Sequence, residues 1–137
     1  MNFPERPFSL RAGLVGLFVW STFGLVLETL HAFKVGFLLD VDSETRRLLF
    51  RLAHAHGALL GLLNICHAIV ARTFPALEDR PAERMLVASL VLMPTGFLLG
   101  GCFAHGADPG ASVGLAAAGG LVLSLALGRL AWRALRR

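Results

Sequence analysis

The sequence predicts an all-α fold, an integral membrane four-helix bundle running up-down-up-down with both termini in the cytoplasm. Three observations predict it. The 137 residues are enough for a single domain. The composition is 55% hydrophobic and 16% charged, with mean hydropathy +0.67, whereas soluble domains carry about a quarter charged residues. Four apolar segments, at 11–33, 50–71, 85–104 and 111–131, come near the roughly 20 residues that a helix needs to cross about 30 Å of hydrocarbon. A soluble bundle is disfavoured because its helices need a polar face, and residues 12–27 and 85–103 carry no charge on any face. The net charge of +4 comes almost wholly from arginines beside apolar segments. It suits orientation in a lipid bilayer, not the basic stripe that binds nucleic acid.

Arg6 and Arg11 precede the first segment, which resembles a signal peptide in outline. It lacks a small-x-small cleavage site and leads into Glu28, Thr29 and His31, so it reads as a retained span. Asp42 or Ser43 is expected to cap a second helix with Glu44 in its first turn. That helix then begins before the membrane and carries Arg47 and Arg51 to the lipid boundary. Pro94 removes a backbone bond and predicts a kink in the third span. In the fourth, Gly110, Gly114 and Ala118, then Gly120, Ser124 and Gly128, predict close packing within the bundle or between protomers. Cys66 and Cys102 read as small core residues near opposite membrane faces, too far apart for a disulfide.

Topology follows from the basic residues on alternate sides. Arg6, Arg11, Arg72, Arg80, Arg84, Arg129, Arg133, Arg136 and Arg137 fall on one side, and Lys34, Arg46, Arg47 and Arg51 on the other. Nine against four places both termini inside. Arg46, Arg47 and Arg51 then sit on the disfavoured side, which suggests another task for them.

Ionisable groups within spans are costly and mark candidate functions. With the helices run in these directions, Glu28 and His31 end the first span at the outer side, Arg47, Arg51, His54 and His56 open the second, and His105 closes the third. A histidine cluster at the outer end is therefore expected, with His54, His31, His56 and His105 as candidate metal ligands. Glu28 and His31, three apart, share a helix face. Arg47, Arg51 and His54 form a stripe that Ala58 and Gly61 continue, a berth for a flat anionic ligand such as haem with arginines on its carboxylates. His56 lies about 200° from His54 and aligns with His67, about 16 Å deeper. Plainer readings stand beside these: His56 and His67 bonding neighbouring helices, Glu28 paired with a base, Arg47 and Arg51 on lipid headgroups.

The run Arg51-Leu-Ala-His54-Ala-His56-Gly57, followed by Arg72-Thr-Phe-Pro75 and two Gly-rich spans, resembles small four-helix bacterial membrane proteins related to haem–copper oxidase subunit I. Those carry His-Ala-His at the same place, where the Asn and Trp that follow are replaced here by Ala58, Leu59 and Leu60. Ala53-His54 also resembles styrene oxide isomerase and hydroxylaminobenzene mutase. In the isomerase the matching histidine ligates haem b at a protomer interface; its following Asn-Gly is Leu60-Gly61 here. With no tyrosine in the chain, a tyrosine that assists epoxide opening is excluded.

These resemblances imply a bacterial inner-membrane protein holding haem b or another transition metal through His54. His31 or His105 would be the second ligand, Arg47 and Arg51 would hold propionates, and Glu28 would orient a histidine or act as acid–base group. An open axial position implies isomerase or oxidoreductase chemistry on a small lipophilic substrate, and two filled positions imply electron transfer. Two other classes remain: a non-catalytic accessory subunit or scaffold of a membrane complex, and a proton-coupled transporter-like homo-oligomer. No dinucleotide fingerprint, phosphate loop or nucleophile motif is present.

Overall fold

A computed structural model describes residues 8–39 and 44–136. Its helices are α1 (Phe8–Ala32), α2 (Gly36–Leu39), α3 (Glu44–Thr73), α4 (Arg80–Cys102) and α5 (Gly114–Leu135), with 3-10 turns at Pro75–Leu77 and Ala111–Val113. Four of them, α1, α3, α4 and α5 with its leading turn, are long and apolar enough to cross a membrane. As expected, α3 starts before its apolar stretch, with Glu44 in the first turn. Its expected cap at Asp42 or Ser43 lies outside the described residues, as do Arg6 and Arg137. The short α2 was not anticipated, since four residues leave no periodic signature. Pro94 is buried inside α4, which continues through it.

Local chemistry explains the helix ends. At the end of α1 the Val35 amide donates to the Leu30 carbonyl (3.0 Å) and the Lys34 amide to the His31 carbonyl (3.1 Å). This paired closure places the penultimate residue in the left-handed region, and Lys34 takes it with φ 52°. α4 begins at Asp79, whose Oδ1 accepts from the Ala82 amide at 3.0 Å, with a proline in the first turn where no donor is lost.

Apolar surface gains little by leaving lipid for protein, so helices in a membrane associate through close approach. The contacts show this. A Cβ added at Gly13 would lie 2.7 Å from the Gly61 carbonyl oxygen, and one at Gly61 would lie 2.7 Å from the Leu17 nitrogen. These pairs run α1 antiparallel to α3. Asn64 reaches Leu86, and Gly101 meets Phe50, so α4 runs back along α3. Gly96 meets Ala116 and Gly119 meets Met93, so α5 runs back along α4. Trp20, Ala53, Leu60 and Leu90 form the core of the α1, α3 and α4 packing.

The four expected long helices are present, and they pack in series. Among the described residues α5 packs on α4 and the connectors beside it, without close approach to α1 or α3, so the helices lie in a row with α1 leaning onto α4. The reason is which small residues of α5 turn inward: Ala116, Gly119 and Ala126 are buried, whereas Ala118, Ser124 and Gly128 of the expected stripe are exposed. Gly114 and Gly128 have nothing near the place a Cβ would occupy. Cys66 and Cys102 are free, as expected, but exposed and not in the core. Apolarity alone does not tell a lipid-facing residue from a buried one.

The connectors are tied by arginines. Arg46 donates to the carbonyls of Gly101 and Ala104 (both 3.2 Å) and of Phe37 (3.3 Å), and its guanidinium lies 4.5 Å from the Phe37 ring centroid. It thus joins α2 and α3 to the negative end of α4, which gives this arginine a structural task. At the opposite end Asp79 accepts from Arg129 Nε (2.9 Å) and Arg133 Nη1 (3.0 Å), locking α5 onto the α3–α4 connector. Burial pushes the Asp79 carboxyl up, but the Arg129 hydrogen bond, the Ala82 amide and the two guanidinium charges outweigh it and hold the group below its ordinary 3.8.

Candidate functional site

The C-terminal half of α1 and the N-terminal half of α3 enclose an open cleft of about 730 Å³, with Leu38 of α2 closing one side. α1 lines it with Ser21, Gly24, Leu25, Glu28 and His31, a succession of three- and four-residue steps that makes one helix face. α3 lines it with Arg47, Arg51 and His54, the stripe expected from their spacing. An aromatic ladder stiffens the adjoining seam: Trp20 meets Phe23 edge-on at 5.9 Å, and Phe23 meets Phe50 at 5.9 Å.

His54 is the best-determined side chain of the site. Its Nδ1 lies 2.7 Å from the Trp20 carbonyl oxygen. A carbonyl only accepts, so Nδ1 carries a proton, and in the neutral ring the Nε2 lone pair is the one left for a ligand. A bond of this kind fixes ring orientation and tautomer for metal-ligating histidines. The ring lies against Gly24, where a Cβ would overlap it. Glycine at 24 is therefore what lets the imidazole reach the α1 backbone.

The two arginines differ. Arg47 is half-buried and gives Nη1 to the Leu38 carbonyl at 3.1 Å, which helps seat α2. Arg51 is exposed and has no hydrogen-bond or ion-pair partner among the described residues. Glu28 and His31 are exposed on the opposite wall, and no ion pair among the described residues crosses the cleft. The cleft thus presents the Glu28 carboxylate, the His31 and His54 imidazoles and the Arg51 guanidinium to a ligand between walls of leucine, with Arg47 tied to the Leu38 carbonyl at its edge.

The expected four-histidine cluster is not found. His56 turns the other way, its Nδ1 2.9 Å from the Leu52 carbonyl and its ring stacked 5.0 Å from Phe97 of α4. The 200° offset from His54 is the cause. His105 lies exposed on the turn after α4, bonded to the Phe103 carbonyl at 2.8 Å. Among the described residues no three His, Cys, Asp or Glu side chains are grouped to hold a metal ion. Of the candidate ligands only His31 and His54 share the cleft.

Sequence reasoning missed Gly24 and the Trp20 carbonyl. Gly24 was within reach, since it lies one turn before Glu28 on the face that Glu28 and His31 define. The Trp20 carbonyl has no sequence signal, because any residue supplies one. Comparison with protein-family models, curated proteins and solved structures finds no match to the chain.

Proposed function

We propose that the chain is a multi-pass protein of the bacterial cytoplasmic membrane, termini inside, whose α1–α3 cleft binds haem b or a similar flat anionic metallocofactor through His54. One observation carries the reading: the His54 Nδ1–H is committed to the Trp20 carbonyl, leaving the Nε2 lone pair for a ligand in a cleft shared with Arg51. The volume suits a small-molecule or cofactor site, which spans about 300–1,000 Å³. A bare ion wants several protein ligands, which the described residues do not group. A porphyrin brings its own four nitrogens and needs one axial side chain, so the donor set fits haem better than a naked metal.

The residues divide the work by chemistry. Arg51 would hold carboxylates through charge-assisted bonds, with the Arg47 charge beside it. Leu25, Leu27 and Leu38 exclude water from the walls. Glu28 and His31 line the cleft from α1, where His31 would be a second ligand to the metal and Glu28 would orient a histidine or act as an acid–base group. When bound, haem supplies Lewis-acid or redox chemistry if one axial position stays open, and electron transfer if both are filled. Those two states correspond to a haem-dependent isomerase or oxidoreductase and to a non-enzymatic electron carrier. Exposed apolar side chains of α1 and α5, such as Leu14, Phe18, Leu121 and Leu125, meet lipid or a second subunit of a homo-oligomer or membrane complex.

Hemin titration of the detergent-purified protein tests the reading. A Soret band saturating at one haem per chain, with affinity lowered about tenfold in Arg51→Gln, supports it. No saturable band, with no stoichiometric iron, copper or zinc in the preparation, overturns it and favours an accessory subunit.

A further inference from the structure

The inner half of the molecule holds a second polar group that the cleft does not use. Ser9, Asn64 and Ser89 are fully buried and His67 is 9% exposed. Ser89 Oγ donates to the Leu86 carbonyl, and the Asn64 amide nitrogen donates to the carbonyls of Leu60 and Leu86. Four buried atoms have no partner among the described residues: Ser9 Oγ, Asn64 Oδ1 and both ring nitrogens of His67. Native interiors pair nearly all such atoms with protein or with ordered water.

Helix register brings these atoms together. Gly13 sits against Gly61 and Ile65, so Ser9, one turn earlier on α1, is level with the turn of α3 that carries His67. Asn64 bonds the Leu86 carbonyl, so His67, three residues on, is level with Glu83 of the antiparallel α4. Glu83 Oε1 accepts the Ser9 amide at 2.8 Å, which joins α1 to α4 at the same level. Two helices, α1 and α3, thus place unpaired oxygen and nitrogen atoms at neighbouring levels, beside the Glu83 carboxylate of α4.

We propose that Ser9, Asn64 and His67 form a hydrated interior site that binds water, and that His67 exchanges protons there with the inner-face solvent past the Glu83 carboxylate. An internal water needs two to four polar partners, and the orphaned atoms supply them. Glu83 is half-buried one turn in from Asp79, at the start of α4. A hydronium passing Glu83 gives its proton to the unprotonated ring nitrogen of His67 and leaves as water; release reverses the step. The charged groups facing the imidazole are the carboxylates of Glu83 and Asp79 on α4. Asp79 is matched by Arg129 and Arg133 of α5. α1 contributes Ser9, while Arg11, Arg72, Arg80 and Arg84 at this end are exposed.

Solid-state NMR in liposomes tests this without removing the residue. His67 is the one histidine that follows a cysteine, so carbonyl-labelled cysteine with uniformly labelled histidine assigns its signal. The expected result is a ring that exchanges with water protons and titrates between about pH 5 and 8, with a midpoint moved to lower pH in Glu83→Gln. A ring held in one neutral tautomer across that range without water exchange would overturn the site. A midpoint unchanged in Glu83→Gln would overturn the role of Glu83.

Discussion

Replacing Gly24 with alanine adds one methyl group at the point where α1 passes the His54 ring. The new Cβ would overlap the ring, with Nε2 the farthest of its three nearest atoms at 2.8 Å, against 3.4–4 Å for ordinary contact. Even that atom has to retreat by about 0.6 Å, and the atoms nearer Trp20 by more. Since His54 borders the cleft and is half-buried, the ring yields by swinging outward, and the helix pair holds. The loss falls on the 2.7 Å bond to the Trp20 carbonyl, worth about 1 kcal/mol net. Ligand affinity through Nε2 should drop about fivefold to tenfold, and ¹⁵N spectra should show the Nδ1–H tautomer giving way to a mixture. Gly128→Ala is the control, because nothing lies near its Cβ position; it should stabilise α5 by about 0.5–1 kcal/mol and leave His54 unchanged. An unaltered tautomer and affinity in Gly24→Ala would refute the placement of His54 against α1.

Asp79→Asn keeps part of the helix cap but removes the charge that holds Arg129 and Arg133, and should cost about 1–2 kcal/mol in reversible unfolding in mild detergent. Because the folded carboxyl sits below its ordinary 3.8, the clamp contributes fully above that pH and is lost as the pH falls through the folded value; Asp79→Asn should flatten that acid limb. Lys34→Gly relieves a left-handed backbone at φ 52° and should raise stability by about 1 kcal/mol, read as a higher melting temperature. Cys66 and Cys102 are both exposed on the protein, yet only Cys102, at the outer end of α4, should react with a membrane-impermeant maleimide in intact cells; equal labelling would contradict the insertion.

The four long helices were legible because uncharged apolar runs of about 20 residues are long enough to form them, and the α3 start was legible because Glu44 and the arginines after it continue the helical spacing. The Arg47, Arg51 and His54 stripe was legible for the same reason, since residues on one helix keep a fixed angular relation. What spacing cannot supply is which faces meet. The open row of helices depends on Ala116, Gly119 and Ala126 turning to α4 while Gly114 and Gly128 turn out, a choice that two stripes of similar small residues do not declare. His105 was expected in the cluster from depth alone, and the turn after α4 carries it outward. The Asp79 clamp joins residues 50 and 54 apart, a separation that no local spacing declares.

The most direct test is the absorption spectrum, oxidised and dithionite-reduced, of protein purified in detergent from haem-replete cells, beside His54→Ala prepared alike. The predicted result is a Soret band that shifts on reduction and is missing from the variant. A featureless spectrum, or a band that the variant keeps, would contradict haem ligation by His54.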